Sequence, residues 1–409
     1  MTTAARPKPT ALWRRPAVAR LLVIALLAEI GYAMLNISTM PVYLKFERGF
    51  SAGWIGVVVT AFLLSEAAFK GWMGRLADRF GNRRLMMFGP LITVVTVALS
   101  ILIPGKGSST DLVFSFILMR ALDGVGAAML WPAAFSAMSH SVAEEENQQA
   151  MSLLNACYLM GVALALPIGG FVNDLLGARW ASMAVAGGLF ACVSLAAWRF
   201  ISDQRGDGKT VAHGEVDVNE LLGTAHQIPS YLLLAAVTFA GVGFPMAIIK
   251  LFAEEQFGMS ESAFGLLVLP AALGMAAFSV PMSKLGERLG KARAVHFGMG
   301  LCTLGVTLIA LGAFLPMLRQ PWVIAAGGLP LGVGFLLAIP AWMASVSEID
   351  PKRRAANVGA VMTAQGVGAI VGAPIGSYLY GAYGHYSPFV GCAICVGAGW
   401  ALGLKILRR

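Results

Sequence analysis

Gly74-Arg75-Leu76-Ala77-Asp78-Arg79-Phe80-Gly81-Asn82-Arg83-Arg84 is a charged stretch between two long apolar runs. That position predicts a short loop joining two membrane spans. Gly74 and Gly81 allow the positive φ or the close backbone approach of a tight reversal. Asp78 suits a helix N-terminus, and Arg79, Arg83 and Arg84 suit the cytoplasmic face of a bilayer.

Working outward, a span needs about 20 apolar residues. Twelve segments qualify, at about 18–43, 52–73, 85–104, 113–137, 150–173, 179–199, 230–252, 262–283, 294–316, 322–345, 356–380 and 386–405. The chain of 409 residues is 57% hydrophobic and 12% charged, with a mean hydropathy of +0.73. Soluble domains carry about 25% charged residues, so the composition is that of an all-α integral membrane protein. The polar stretch 202–228 divides the spans six and six. The expected organisation is a six-helix bundle over 1–201, a cytoplasmic linker over 202–228 and a second six-helix bundle over 229–409. A net charge of +9 would also suit nucleic-acid binding. Lys and Arg held on cytoplasmic loops account for it better, and no nucleic-acid partner is expected. With the N-terminus inside, 22 of the 30 Lys and Arg residues fall on the cytoplasmic side, which places both termini there. The first apolar run is too long for a cleaved signal and contains Glu29 and Asn36. All five cysteines lie in apolar runs, and Cys392-x-x-Cys395 reads as packing rather than redox or metal chemistry. No histidine falls in mid-span, so no metal site is expected.

The halves repeat one another. Ser283-Lys284-Leu285-Gly286-Glu287-Arg288-Leu289-Gly290 restates the opening stretch, with Glu287 matching Asp78 at an offset of 209. Gly124-Val125-Gly126 with Pro132 returns as Gly332-Val333-Gly334 with Pro340, at an offset of 208. Gly161, Pro167, Gly169 and Gly170 have counterparts in Gly368, Pro374 and Gly376, with Gly372 between them, at an offset of 207. Internal repeats with a midplane site between them are a transporter plan.

Ionisable groups inside a span cost several kcal/mol and are functional candidates by default. Glu29, Glu66, Lys70, Arg120 and Asp123 qualify, all in the first half. Glu29, Tyr32, Asn36 and Met40 recur at helical spacing, as do Arg120, Asp123, Gly124, Ala127 and Trp131. Glu29 lies roughly 16 Å from the cytoplasmic edge at 1.5 Å per residue. Counted from Pro132, Arg120 and Asp123 lie roughly 18 and 14 Å deep, and counted from residue 137 each lies roughly 7 Å deeper. On the first count Glu29 and Arg120 can pair across a cavity; on the second they are strained apart. Glu66 and Lys70, four residues apart, can neutralise one another. Three acids against two bases leave one acid that must be protonated or meet a cationic substrate. The second half offers no mid-span charge, with Lys250, Glu254 and Glu255 at the outer end of span 7. Gln365 is among its few polar groups, and Phe239, Phe244, Met246, Phe278, Trp342 and Met362 either line an apolar wall or are lipid-facing bulk, with composition favouring bulk for most of them.

The pattern G-x-L-A-D-R-x-G-x-R-R resembles the loop between spans 2 and 3 of the major facilitator superfamily of secondary transporters. The resemblance implies twelve helices in two pseudo-symmetric bundles and a conformational latch. There the motif's aspartate meets a second-half helix and an arginine, so Gly74, Asp78, Arg79, Gly81, Arg83 and Arg84, with Glu287 and Arg288 as the weaker copy, would hold the cytoplasmic side closed. Arg120-Ala121-Leu122-Asp123-Gly124-Val125-Gly126-Ala127-Ala128 resembles the family's span-4 motif, whose arginine is associated with proton coupling. Asp123 stands where that motif has an uncharged residue, so Arg120 can find a local partner. An acid in span 1 resembles several multidrug:proton antiporters. Gly161 to Gly170 resembles their span-5 motif with Ala165 in place of glycine and the proline one residue late, and a plain helix-packing surface accounts for it equally well.

The expected function is secondary active transport by alternating access: proton-coupled efflux of an amphipathic or cationic small molecule, without an enzymatic set and with the proton as coupling ion. A lipid or lysolipid flippase and proton-coupled sugar uptake are the alternatives. A monomer in the bacterial inner membrane, surrounded by lipid, is expected.

Overall fold

The computed structural model describes residues 11–143, 146–202, 227–349 and 354–407. Most of the 202–228 linker and the side chain of Asp78 lie outside them. The described residues form helices α1 (Pro16–Glu47), α2 (Ala52–Phe80), α3 (Asn82–Leu102), α4 (Thr110–His140), α5 (Asn147–Leu176) and α6 (Trp180–Phe200). The second half continues with α7 (Pro229–Met246), the short α8 (Ile249–Phe257), α9 (Glu261–Leu289), α10 (Lys291–Ala310), α11 (Pro321–Ser347), α12 (Arg354–Tyr383) and α13 (Ser387–Ile406). Eleven of these helices are long and apolar enough to cross a membrane. The twelfth long helix, α9, carries its apolar stretch over Glu261–Met275. The expected twelve-helix architecture is the observed one.

Three local readings need correction. The opening stretch is not a loop from Gly74 onward: α2 continues through Asp78 to Phe80, and Gly74 is buried within it. Arg, Leu and Ala are good helix formers, so the helix runs on until Gly81, whose φ of 93° supplies the reversal. Asp78 therefore sits in a last turn, not at an N-terminus. Second, α1 extends to Glu47 and widens into π-helical turns at Met34–Thr39 and Tyr43–Glu47. Third, span 7 is broken. Pro245 cannot donate the backbone hydrogen bond that would continue α7, and the chain restarts as α8 after Ile248.

The internal repeat is visible in three dimensions. Gly290 reverses the chain with φ 84°, as Gly81 does at the matching place. Helices α3 and α4 approach so closely that a Cβ on Gly89 would lie 2.5 Å from the Gly126 carbonyl oxygen. Helices α10 and α11 do the same, with 2.6 Å from a Gly298 Cβ to the Gly334 carbonyl oxygen.

The halves meet along two helix pairs, α2 with α12 and α5 with α9. The close approaches crowd towards one end, called here the far end, where Lys45, Gly177 and Gly258 lie; Gly81 and Gly290 mark the near end. A Cβ on Gly56 of α2 would lie 2.9 Å from Pro374 Cα, and one on Gly265 of α9 would lie 2.5 Å from Pro167 Cα. Towards the near end cover is lost on all sides. Residues 67–72 of α2 are all exposed, as are most of 155–160 on α5 and 362–367 on α12. Six consecutive exposed residues leave no helix face covered, so the halves splay and a central cavity opens at the near end.

Candidate functional site

Glu29 lies on α1 against α5. Its side chain packs on Gly161, where a Cβ would lie 2.6 Å from Glu29 Cβ. Glu29 is 5% exposed and has no hydrogen-bonded or ion-paired partner among the described residues. Glu66 and Lys70 pair with each other at 3.0 Å, close enough for both charges to act on Glu29. At 1.5 Å per residue, Gly161 lies ~9 Å to the near side of the Pro167 closure, and Glu66 ~15 Å to the near side of Gly56. The two acids and Lys70 thus sit where the cavity begins.

Arg120 is turned the other way. It is fully buried in the first half, where it bonds Asp123 one turn along its own helix. It also donates to Asn36 Oδ1 at 2.7 Å, with its guanidinium 5.3 Å from the Phe62 ring centre. Asp123 takes a further hydrogen bond from Thr96 on α3. Asn36 donates to the Tyr32 carbonyl at 2.9 Å. Tyr32 itself packs on Phe190, centroid to centroid 4.5 Å, and its hydroxyl lies 3.5 Å from Thr93 Oγ1. The span-1 stripe is therefore divided: Glu29 faces α5, Tyr32 faces α3 and α6, and Asn36 faces α4. Trp131 is buried against Tyr158, rings 5.3 Å apart. Pairing Arg120 with Asp123 and Lys70 with Glu66 leaves Glu29 as the unmatched acid.

The glycine motif of α5 serves the far-end closure. Gly169 faces Ser38, with 2.5 Å from a Cβ to Ser38 Oγ, and Gly170 faces the Glu261 backbone. In the second half Gly368 and Gly372 lie on α7 at Ala236 and Ala240, and Gly376 lies on Phe244. Of the latch set, Arg79, Arg84, Glu287 and Arg288 are exposed at the near end and Arg83 is half-buried. Gln365 lies on α12, ~14 Å to the near side of Pro374 by helical rise.

Several site residues carry no signal at their sequence positions. Tyr158, in ring contact with Trp131, is near enough to Glu29 and Glu66 to feel their charge. Lys250 and Glu261 are buried ionisable groups at the far end, at 2% and 5% exposure; the sequence placed Lys250 at the outer end of span 7 and carried no sign of its burial. Lys250 donates to the Ser38 carbonyl at 2.6 Å and to Ser38 Oγ at 2.8 Å, and pairs with Glu261. Ser38 lies in the first π-helical turn of α1. Asn173 donates to Glu261 at 3.0 Å, Arg179 pairs with Glu254 at 2.5 Å, and Lys45 pairs with Glu255 at 3.2 Å. Every one of these bonds except Lys250–Glu261 joins one half to the other. They form a clasp that holds the far end shut.

Twelve long helices, repeated six and six around a cavity that is closed at one end, with an unmatched acid buried beside it, define a secondary membrane transporter. The chain belongs to the Major Facilitator Superfamily, whose family model matches residues 21–228 and 231–409. It is a multi-pass membrane protein and a transporter, not an enzyme. Multidrug resistance protein 2 of Bacillus subtilis (strain 168) is 24% identical over 400 residues, covering 93% of this chain and 94% of the relative. The multi-drug resistance efflux pump PmrA of Streptococcus pneumoniae serotype 4 is 26% identical, covering 84% of each chain. Among solved structures, a bacterial homologue of the iron transporter ferroportin in an inward-facing state superposes with a TM-score of 0.76 at 13% identity, covering 98% of this chain and all of that one. The nucleoside transporter NupG gives 0.74 at 13% identity over 95% of this chain and 98% of that one. At such identities the likeness is one of fold.

Proposed function

We propose that this transporter exports an amphipathic or cationic small molecule in exchange for protons, by alternating access. The carrying observation is Glu29: a buried carboxylate with no partner among the described residues, beside the level at which cover on α2, α5 and α12 is lost. A carboxylate in that setting is stabilised either by a proton or by a cation from the cargo. Competition between the two for one group couples their movements in opposite directions. The multidrug efflux relatives support the direction of export, and the Lys/Arg distribution supports a cytoplasmic near end in a bacterial inner membrane. With the near end open, the cavity would load from the cytoplasm.

Transport of tetraphenylphosphonium into or out of proteoliposomes under an imposed pH gradient tests this reading. Glu29→Gln should abolish gradient-driven transport yet allow exchange of cargo without a gradient. Unchanged gradient-driven transport by that variant would move the coupling site elsewhere. A lipid or lysolipid cargo is the second reading, favoured by the apolar wall of the second half. Accelerated lipid flipping in the same vesicles, with no movement of the cation, would establish it.

A further inference from the structure

Lys70 is a cation beside the coupling acid, and the exchange of cargo for protons gives it no work. Phe62, Glu66 and Lys70 recur every fourth residue and share one face of α2. Phe62, at the start of that stripe, is 5% exposed and packs on Tyr32 with ring centres 5.8 Å apart. It also meets the Arg120 guanidinium, so the stripe faces α1 and α4 rather than lipid. Towards the near end the stripe emerges from this packing, with side-chain exposure rising from 20% at Glu66 to 49% at Lys70. Glu66 is near enough to Tyr32, Tyr158 and Glu29 for its charge to reach all three, and Lys70 reaches Glu29. The helices across the cavity supply no further charge. No Asp, Glu, Lys, Arg or His occurs in Pro229–Met246 of α7, between Ser262 and Ser283 of α9, or between Asn357 and Tyr383 of α12. Arg120 and Asp123 cancel one another inside the first half.

The local count is therefore two carboxylates against one ammonium. With Glu29 ionised the group carries one net negative charge, and one proton or one positive charge on the cargo brings it to zero. A net charge enclosed in low dielectric is costly, so the forms that can close around their contents are the neutral ones. We propose that Lys70 is a specificity-determining residue: a built-in counter-ion that occupies Glu66 and limits the cargo to a single positive charge. A dication would meet one free carboxylate and a fixed ammonium of its own sign, and that repulsion rejects it. Discrimination here is by charge count and not by shape. The proposal rests on the exchange reading above, because it takes a cation to be the cargo.

The test is proton-driven exchange in proteoliposomes of two flat cations of similar size, N-methyl-phenylpyridinium with one charge and methyl viologen with two. The wild-type protein should move the first roughly tenfold faster than the second, and Lys70→Met should raise methyl viologen exchange roughly tenfold. Glu66→Gln should abolish exchange of the single-charged cation although Glu29 is intact, because Lys70 then neutralises Glu29 instead. The double variant Glu66→Gln with Lys70→Met should restore that exchange, since one free acid is left again. A pair that served only packing would give no such restoration. Both side chains reach water, so folding depends little on the pair. Thermal unfolding of each variant checks this, and Lys70→Gln replaces Lys70→Met if the latter does not fold. Equal wild-type exchange of the two cations overturns the role of Lys70 and leaves the exchange reading standing. So does the absence of any gain with methyl viologen, or of restoration in the double variant. Wild-type exchange of neither cation for protons overturns both.

Discussion

Arg120 shows how one residue can be found in the sequence and still be misjudged in its work. A guanidinium in a span is conspicuous, and its three-residue spacing to Asp123 puts both on one helix face. Depth counting could not decide between Glu29 and Asp123 as its partner, because the inner edge of α4 could not be placed to better than a turn. The structure gives it Asp123 and Asn36, which makes it a buried bracket of the first half. Arg120→Ala should then lower stability by about 3–5 kcal/mol, since it leaves a carboxylate buried without its countercharge. Thr96→Val removes one of the bonds to Asp123 and should cost about 1–3 kcal/mol. Thermal unfolding in detergent, read by loss of the helical signal, checks both. Equal melting of wild type and Arg120→Ala would mean that Asp123 is not charged in the folded protein. Tyr158 was not legible at all: a tyrosine in an apolar run has no signature until Trp131 and the acids are seen around it.

At the scale of the helix, the long apolar runs and the three repeated motifs made the architecture readable. What the runs did not show was where helices depart from regularity. The π-helical turns of α1, the break after Pro245 and the extension of α2 to Phe80 are local choices within continuous apolar or helix-forming sequence. The break matters most, because it turns α8 inward and buries Lys250. The glycine motif of α5 was read equally as export signature or packing surface; its side facing α9 packs backbone on backbone. Gly265→Val should therefore prevent the far end from closing. A cysteine placed at Ser262 should become reactive from the far side in that variant, at least tenfold faster than in the parent. No gain in reactivity would mean that the α5–α9 contact does not bear the closure.

At the scale of the molecule, the two ends behave differently. At the near end, Asp78→Asn should leave the protein folded and shift it further towards the near-open form, if the latch implied by the family motif acts here. Cysteine accessibility from each side reads this directly. At the far end, Lys250→Met removes both bonds from the second half to Ser38; a loss of about 3 kcal/mol shifts the balance towards far-open roughly a hundredfold. The far end should also respond to acid. Burial holds the Glu254 carboxyl above its ordinary value, with Arg179 pulling it down. Opening returns Glu254 to water and to the ordinary value, so the closed form binds the proton more tightly. By linkage, closure is favoured as the pH falls through the raised value and is no longer favoured above it. Acidifying the far side should slow labelling at Ser262→Cys, and Glu254→Gln should remove that dependence.

Closure by glycine against backbone also has a kinetic meaning. Where Gly56, Gly170 and Gly265 meet their neighbours, no long side chain must be ordered on contact or released on parting. Little rotamer entropy changes hands there, so those surfaces can meet and separate many times without a slow rearrangement. The tempo of opening is then left to the ion pairs. Lys45–Glu255 is half-exposed and the bonds of Lys250 to Ser38 are dry, so dissolved salt reaches the first and not the second. The cycle should quicken with ionic strength on the far side only up to a plateau, and the height of that plateau measures the buried bonds of Lys250 and Asn173.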